Sequence, residues 1–309
     1  AQVLEVVKHP DADRLNVCRV DVGSGEPLQI VCGAPNAAVG IKVPCALPGA
    51  ELPGGFRIKV AKVRGVESSG MLCSARELGI AEDAAGLLLL AADAPVGEDI
   101  RRHLDLDDRL LTLKLTPNRA DCLSLEGVAR EVAALTGTPT RFTEVTEVEV
   151  TLTTERAVVL DAPAACPRYC GRVIAGVDGT AATPAWMRRR LERSGLRPIS
   201  ALVDITNYVM LELGQPLHAF DNSRLHGAIH ARMAQAGETI SLLNEQTLTL
   251  QPDILLISDA QRPVAMAGIM GDEASGITPD TTEVFLESAF FAPAAIAGRA
   301  RGSDTVKKA

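Results

Sequence analysis

The stretch Val203–Asp221 reads VDITNYVMLELGQPLHAFD, setting one His, two Asp, one Glu, one Thr and one Asn among apolar residues. A few polar groups converging inside an apolar lining suit a pocket wall. His218 follows Gly214-Gln215-Pro216, a turn that presents it just past the end of a helix; the plainer reading is a satisfied structural histidine. A second candidate is Glu287 in the run VFLESAFF, Val284–Phe291. As a strand, this run puts Phe285, Glu287, Ala289 and Phe291 on one face. A buried carboxylate is costly, so Glu287 needs a partner or a task; a solvated or Arg-paired face is the alternative. Gly268-Ile-Met-Gly271, behind Ala265 and Ala267, lets backbone approach a ligand closely, although a plain turn also accounts for it. No nucleophile elbow, HExxH or Walker sequence is present. Any hydrolysis would therefore use a water positioned by pocket groups.

Three regions must position these residues. Residues 1–108 read as mostly β, with short apolar runs at Val3–Val7, Leu15–Val22, Leu28–Cys32, Val43–Leu47 and Phe56–Val63 between Pro- and Gly-rich turns. In the last run, period-two alternation predicts a buried face and outward Arg57 and Lys59, slipping at Ala61 where a bulge fits. Five such strands suggest a small closed barrel, best matched by an OB-fold. Ser74–Leu78 before Gly79 predicts a short helix. In residues 109–146, Leu111, Leu113 and Leu115 predict a strand. Leu125, Val128, Ala129, Val132 and Leu135 predict a helix closed by Gly137. One strand and one helix are too little for a core, so this piece is expected to pack on a partner segment. In residues 147–309, Thr183-Pro184 predicts a helix start by N-cap and first-turn proline, and a second helix covers Leu202–Leu213. Mainly strand patterns follow, giving an α+β domain.

The 309 residues, 47% hydrophobic, suffice for two or three domains. Seven cysteines form no evident disulfide framework and read as reduced thiols of a cytoplasmic protein. Cys166 and Cys170 lack the second pair a zinc site needs, so no metal site is expected. No signal peptide stands at the start, and no apolar run approaches the ~20 residues that span a bilayer. The chain opens without Met, inside a strand-like run, as a fragment would. The net charge of −8 argues against a nucleic-acid binder as a whole. Two cationic runs oppose that total: Phe56–Arg64 with four cations, and Trp186–Arg197 with five arginines. Each alone reads as a solvated face; together they favour phosphate contact.

Several long motifs then carry a resemblance over about residues 3–301. His9-Pro-Asp-Ala-Asp-Arg-Leu15, Ile30-Val-Cys-Gly-Ala-Pro-Asn36 and Arg64-Gly-Val-Glu-Ser-Ser-Gly-Met-Leu-Cys73 resemble the tRNA-binding OB domain of the bacterial phenylalanyl-tRNA synthetase β-subunit family. Leu115–Leu123 with its helix resembles part of the small B1 domain, and Val203–Asp221, Gly268–Gly271 and Leu286–Ala289 resemble the B3/B4 editing domain. The resemblance implies a multidomain α+β chain: an OB-fold β-barrel (1–108), an incomplete small α/β domain (109–146) and a mixed α+β B3/B4 editing domain (147–309). It implies tRNA(Phe) binding and hydrolysis of tyrosine wrongly attached to that tRNA, because a pocket shaped for Phe rejects an added hydroxyl poorly. A non-catalytic tRNA-binding or subunit-assembly module is the alternative. By matching motif, His218, Glu287, Thr206 and Asn207 would serve hydrolysis. Pro216, Ala267, Gly268, Gly271 and Glu287 would hold the substrate, with Glu287 accepting the tyrosine hydroxyl. Arg57, Lys59, Lys62 and Arg64 would meet RNA. The whole enzyme implied is a tetramer of two α and two β subunits using ATP and Mg2+; this fragment needs no cofactor and no membrane. Two departures stand out. The family's GIMGG reads GIMGD, with Asp272 last, and the family's segments beyond Arg301 are not matched by Gly302–Ala309.

Overall fold

The computed structural model describes residues 1–81, 85–142 and 144–299. Thr143 and the tail 300–309, including the unmatched Gly302–Ala309, lie outside the described residues. The chain divides into two compact units, Ala1–Leu111 and Thr112–Ala309.

In the first unit, strands β1 (Gln2–His9), β2 (Ala12–Asp21) and β3 (Leu28–Cys32) form an antiparallel meander. Their inward positions, Val3, Cys18, Val20 and Ile30, are buried together with Val43 and Leu72. Five short segments follow: β4 (Cys45–Ala46), β5 (Glu51–Leu52), β6 (Phe56–Arg57), β7 (Ala61–Val63) and β8 (Val66–Ser68), and then β9 (Met71–Leu72). They pair as β4-β9, β5-β6 and β7-β8. The free edge of β1 bonds to residues 40–43, and Leu90 N donates to the Lys42 carbonyl at 2.8 Å. A one-turn helix α1 (Ile100–His103) is capped by Asp99, whose carboxylate accepts from Arg101 N.

Two expectations fail here for local reasons. The run Phe56–Val63 is not one strand: β6 and β7 are separate hairpin arms, and only Ile58 between them is buried. Phe56, on an isolated two-residue strand pair, and Val60, between the strands, are both exposed, with no layer backing either side chain. Ser74–Leu78 is a capped turn and not a helix; Glu77 accepts from Ser74 N and Oγ, and Gly79 turns the chain at φ +66°.

The second unit opens with a 3-10 segment, Pro117–Leu123, and helix α2 (Leu125–Thr136), with Ser124 accepting from Gly127 N and Gly137 closing it in the left-handed region. The Leu111–Leu115 strand does not form, since no neighbouring strand pairs with it. The helix packs within its own unit, against the helix Ala201–Leu213, and Gly214 at that helix's end sits against Ser124. Arg119 ties the segment together through Asp121 and Glu131.

Next come β10 (Val158–Leu160), β11 (Arg168–Ala175), α3 (Ala185–Arg193), α4 (Ala201–Leu213), β12 (His218–Asp221), β13 (Ile229–Met233), β14 (Thr239–Ser241), β15 (Thr247–Thr249), β16 (Leu255–Ser258), β17 (Pro263–Met266), β18 (Met270–Gly271), β19 (Glu283–Phe290) and α5 (Pro293–Ile296). One sheet runs β10-β13-β16-β17-β18 and a second runs β11-β19-β12, with β14-β15 as a hairpin. Thr183 does not cap α3; its hydroxyl donates to buried Asp204 at 2.5 Å, and Asp204 also accepts from Ile199 N. Ser200 caps α4, and Gly214 ends it at φ +78°. A core of Cys166, Phe220, Ile229, Leu255, Ile257, Val264, Ala267 and Phe285 lies between the two sheets' strands. The mixed α+β class is as expected. Among the described residues no helix is long and apolar enough to cross a membrane.

Candidate functional site

Register builds the site. In the β11-β19-β12 sheet, Glu287 stands opposite Gly171 on one side and His218 on the other. The row on one side is Val173, Phe285 and Phe220, and Tyr169 faces Ala289 in the row on the other side of Glu287. Facing residues and those two apart share one side of a sheet, so Tyr169, Glu287, Phe285, Phe220 and His218 form one surface. Its rings are in contact. Tyr169 stacks on Phe285 at 6.5 Å and 14°, Phe285 on Phe220 at 6.5 Å and 30°, and His218 meets Phe220 edge-on at 4.4 Å.

Glu287 is only 8% exposed, and its Oε2 accepts a 2.7 Å hydrogen bond from the Tyr169 hydroxyl. Burial pushes the carboxyl up to about 7, against the lowering effect of that bond. The Tyr169 phenol is pushed well above its ordinary range by burial and the adjacent carboxylate. Burial lowers His218 to about 4, with Asp272 acting weakly the other way. His218 is therefore a neutral imidazole near pH 7, able to accept at one ring nitrogen and donate at the other.

Two glycines make room. A Cβ at Gly171 would lie 2.3 Å from the tip of the Phe285 ring, so the position opposite Glu287 must be bare. A Cβ at Gly271 would lie 2.6 Å from His218 Nε2, so the β18 backbone runs directly against the imidazole. Gly268, at φ +68° in the turn between β17 and β18, faces Phe291 and Ile296. Ala267 is buried in the same core as Phe220 and Phe285. Asp272 answers to local structure: buried, it pairs with Arg262 and accepts from Ser275 N and Oγ, pinning the strand end that carries Gly271.

The α4 residues sit differently. Thr206 spends its hydroxyl on the Val203 carbonyl at 2.7 Å within its own helix. Among the described residues no hydrogen bond links Thr206 or Asn207 to His218 or Glu287. Pro216 is exposed, but Gln215 beside it donates to the Ala289 carbonyl of β19, tying the turn to the sheet. Two cavities, of about 700 Å³ in the first unit and about 430 Å³ along β11, are lined by neither Glu287 nor His218. In the first unit, Arg57, Lys59, Lys62 and Arg64 are all exposed. Arg57 pairs with Glu51, and Arg64 at φ 47° with Gly65 makes the tight β7-β8 turn that projects the cations.

Tyr169 was not among the expected site residues. Its one signal is Tyr169, Gly171 and Val173 alternating within RYCGRVIA, which the polar Arg168 and Arg172 obscure. Among the described residues, no group of three or more His, Cys, Asp or Glu side chains is placed to hold a metal ion.

Comparison with known proteins adds to this geometry. Residues 1–99 match the family described as a putative tRNA binding domain, and residues 165–309 match the B3/4 domain. The chain is 70% identical over 308 residues to the phenylalanine–tRNA ligase beta subunit of Dechloromonas aromatica, covering 98% of this chain and 39% of that protein. It is 65% identical to the protein of the same name from Aromatoleum aromaticum, covering 100% of this chain and 39% of the relative. It is 60% identical to that of Chromobacterium violaceum, covering 99% and 39%. The chain thus spans about two-fifths of the length of these relatives.

Proposed function

The chain belongs to the phenylalanine–tRNA ligase beta-subunit family, and from that premise we propose that it binds tRNA(Phe) and hydrolyses tyrosine wrongly attached to it. One observation carries the reading: Glu287, buried among Phe285, Phe220 and Tyr169, already accepts a phenol at 2.7 Å. A carboxylate in that setting selects tyrosine over phenylalanine, because a site built to bond a hydroxyl is left with an unpaired buried group when the hydroxyl is missing. His218, opposite Glu287 and uncharged near pH 7, positions the attacking water or the ester through its ring nitrogens. Ala267, Gly268 and Gly271 supply close backbone, and Pro216 frames the entry. Thr206 and Asn207 act as supports from α4.

The first unit, read as an OB-fold, holds the tRNA through Arg57, Lys59, Lys62 and Arg64. The α subunit, in a tetramer of two α and two β chains, supplies aminoacylation with ATP and Mg2+ in the cytoplasm. A module that binds tRNA without hydrolysis is the second reading, favoured by the four exposed cations and by the Thr206 hydroxyl being spent within its helix. Deacylation of Tyr-tRNA(Phe) separates the two. Hydrolysis that falls in both Glu287→Ala and His218→Ala is expected; hydrolysis unchanged in both refutes the site, and tRNA binding without any deacylation favours the second reading.

A further inference from the structure

The reading above assigns selection to Glu287 alone, but the sheet gives that carboxylate a fixed partner. Tyr169 lies diagonally across from Glu287, two positions along β11 from Gly171. A diagonal pair is ordinarily some 7–8 Å apart between backbones and is reached only by long or aromatic side chains. The phenol makes this reach with its hydroxyl on Glu287 Oε2 at 2.7 Å, beside the Phe285 ring that fills the space over bare Gly171. The Tyr169 ring is not free to swing aside. It packs on the core of the unit and stacks on Phe285, itself 1% exposed. A carboxylate has about four lone-pair sites on two oxygens, so one fixed donor leaves acceptor capacity for a second.

We propose that Tyr169 is a positioning residue: its hydroxyl holds one oxygen of Glu287 and so aims the other at an incoming phenol, making the pair the selecting device for tyrosine over phenylalanine. This rests on the editing function proposed above. The donor also acts against burial, lowering the carboxyl from where desolvation alone would push it. Around Glu287 the other titratable neighbours are Tyr169 and Cys166, both pushed up, and His218 opposite, held low, with Asp272 acting on His218. Glu287, at about 7, is the member of this set that changes charge near neutral pH. Removing the Tyr169 hydroxyl leaves burial unopposed, so the pH at which selectivity appears must rise.

The test measures hydrolysis of Tyr-tRNA(Phe) and Phe-tRNA(Phe) by the full 309-residue chain from pH 6 to 9, for wild type, Tyr169→Phe and Glu287→Gln. Tyr169→Phe keeps the ring and its stacking. It is expected to lower the tyrosine-to-phenylalanine ratio of kcat/KM roughly tenfold, the size of one hydrogen bond to a charged group, and to move the midpoint of the ratio to higher pH. Ring-fluorinated tyrosine at position 169, a stronger donor of the same shape, should move that midpoint down. If Glu287→Gln abolishes the ratio while Tyr169→Phe and the fluorinated variant leave ratio and midpoint unchanged, the positioning role is overturned and the editing reading stands. If Glu287→Gln also changes nothing, both fall.

Discussion

Glu287→Gln should make the second unit more stable at alkaline pH while impairing its selectivity. The carboxyl rises from its ordinary 4.5 to about 7 on folding because burial penalises the anion. The folded state therefore binds more protons than the unfolded state between those values, and stability falls as pH rises through that window. Below about 4.5 both states are protonated and there is no penalty; above about 7 the penalty is complete. At ~1.4 kcal/mol per tenfold, the gap is worth about 3 kcal/mol. Glutamine keeps an acceptor for the Tyr169 hydroxyl and carries no charge, so the variant escapes the penalty. The chain's single tryptophan, Trp186, lies on α3 in the second unit and touches Tyr208 edge-on at 5.2 Å. Its fluorescence in urea melts thus follows this unit. The two proteins should differ by less than about 1 kcal/mol at pH 4.5, with the variant about 3 kcal/mol more stable at pH 8.5. A difference independent of pH, or a variant less stable at pH 8.5, would refute the view that Glu287 is a desolvated carboxylate kept at the expense of stability.

Other outcomes follow from neighbouring contacts. Gly271→Ala puts a methyl 2.6 Å from His218 Nε2, so deacylation should drop at least tenfold at unchanged tRNA affinity. Asp272→Ala strips the buried partner of Arg262 and Ser275 and should cost about 2–3 kcal/mol in the same Trp186 melts. Replacing Arg57, Lys59, Lys62 and Arg64 together by Ala should flatten the slope of log affinity for tRNA against log salt by about 3, as counterion release from four phosphates requires. An unchanged slope would remove these residues from the RNA surface.

Much of the site was legible because strand periodicity acts over short range. The alternation in VFLESAFF places Glu287 with Phe285, and the structure keeps them buried on one face. What periodicity leaves out is register between distant strands. His218 is expected after the Gly214–Pro216 turn, and it is there, but that it begins β12 and stands opposite Glu287, 69 residues later in the chain, has no local signal. Tyr169 has no local signal for the same reason, compounded by Gly171, which breaks the apolar pattern of β11 while making room for the Phe285 ring. Failures in the first unit have another cause. Phe56–Val60 alternates and the pattern slips at Ala61, but the turns on either side cut the run into two hairpin arms. Where the chain passes into the second unit, Leu111–Leu115 alternates too and pairs with no strand among the described residues, since alternation supplies a face and not a neighbour. Helix α4 lies within one residue of the expected Leu202–Leu213; its Ser200 cap, seen in the structure, sets the start one residue earlier. The role of Asp272 became clear only once Arg262 and Ser275 were seen around it.

The central claim is that Glu287 receives a tyrosine side chain on the surface it shares with His218. A crystal structure of the chain soaked with L-tyrosine tests it most directly. The account predicts the ligand's phenol oxygen within about 2.6–3.0 Å of a Glu287 carboxylate oxygen, with its backbone end toward Gly271 and His218. Tyrosine bound elsewhere, or bound here with its phenol turned away from Glu287, would contradict it.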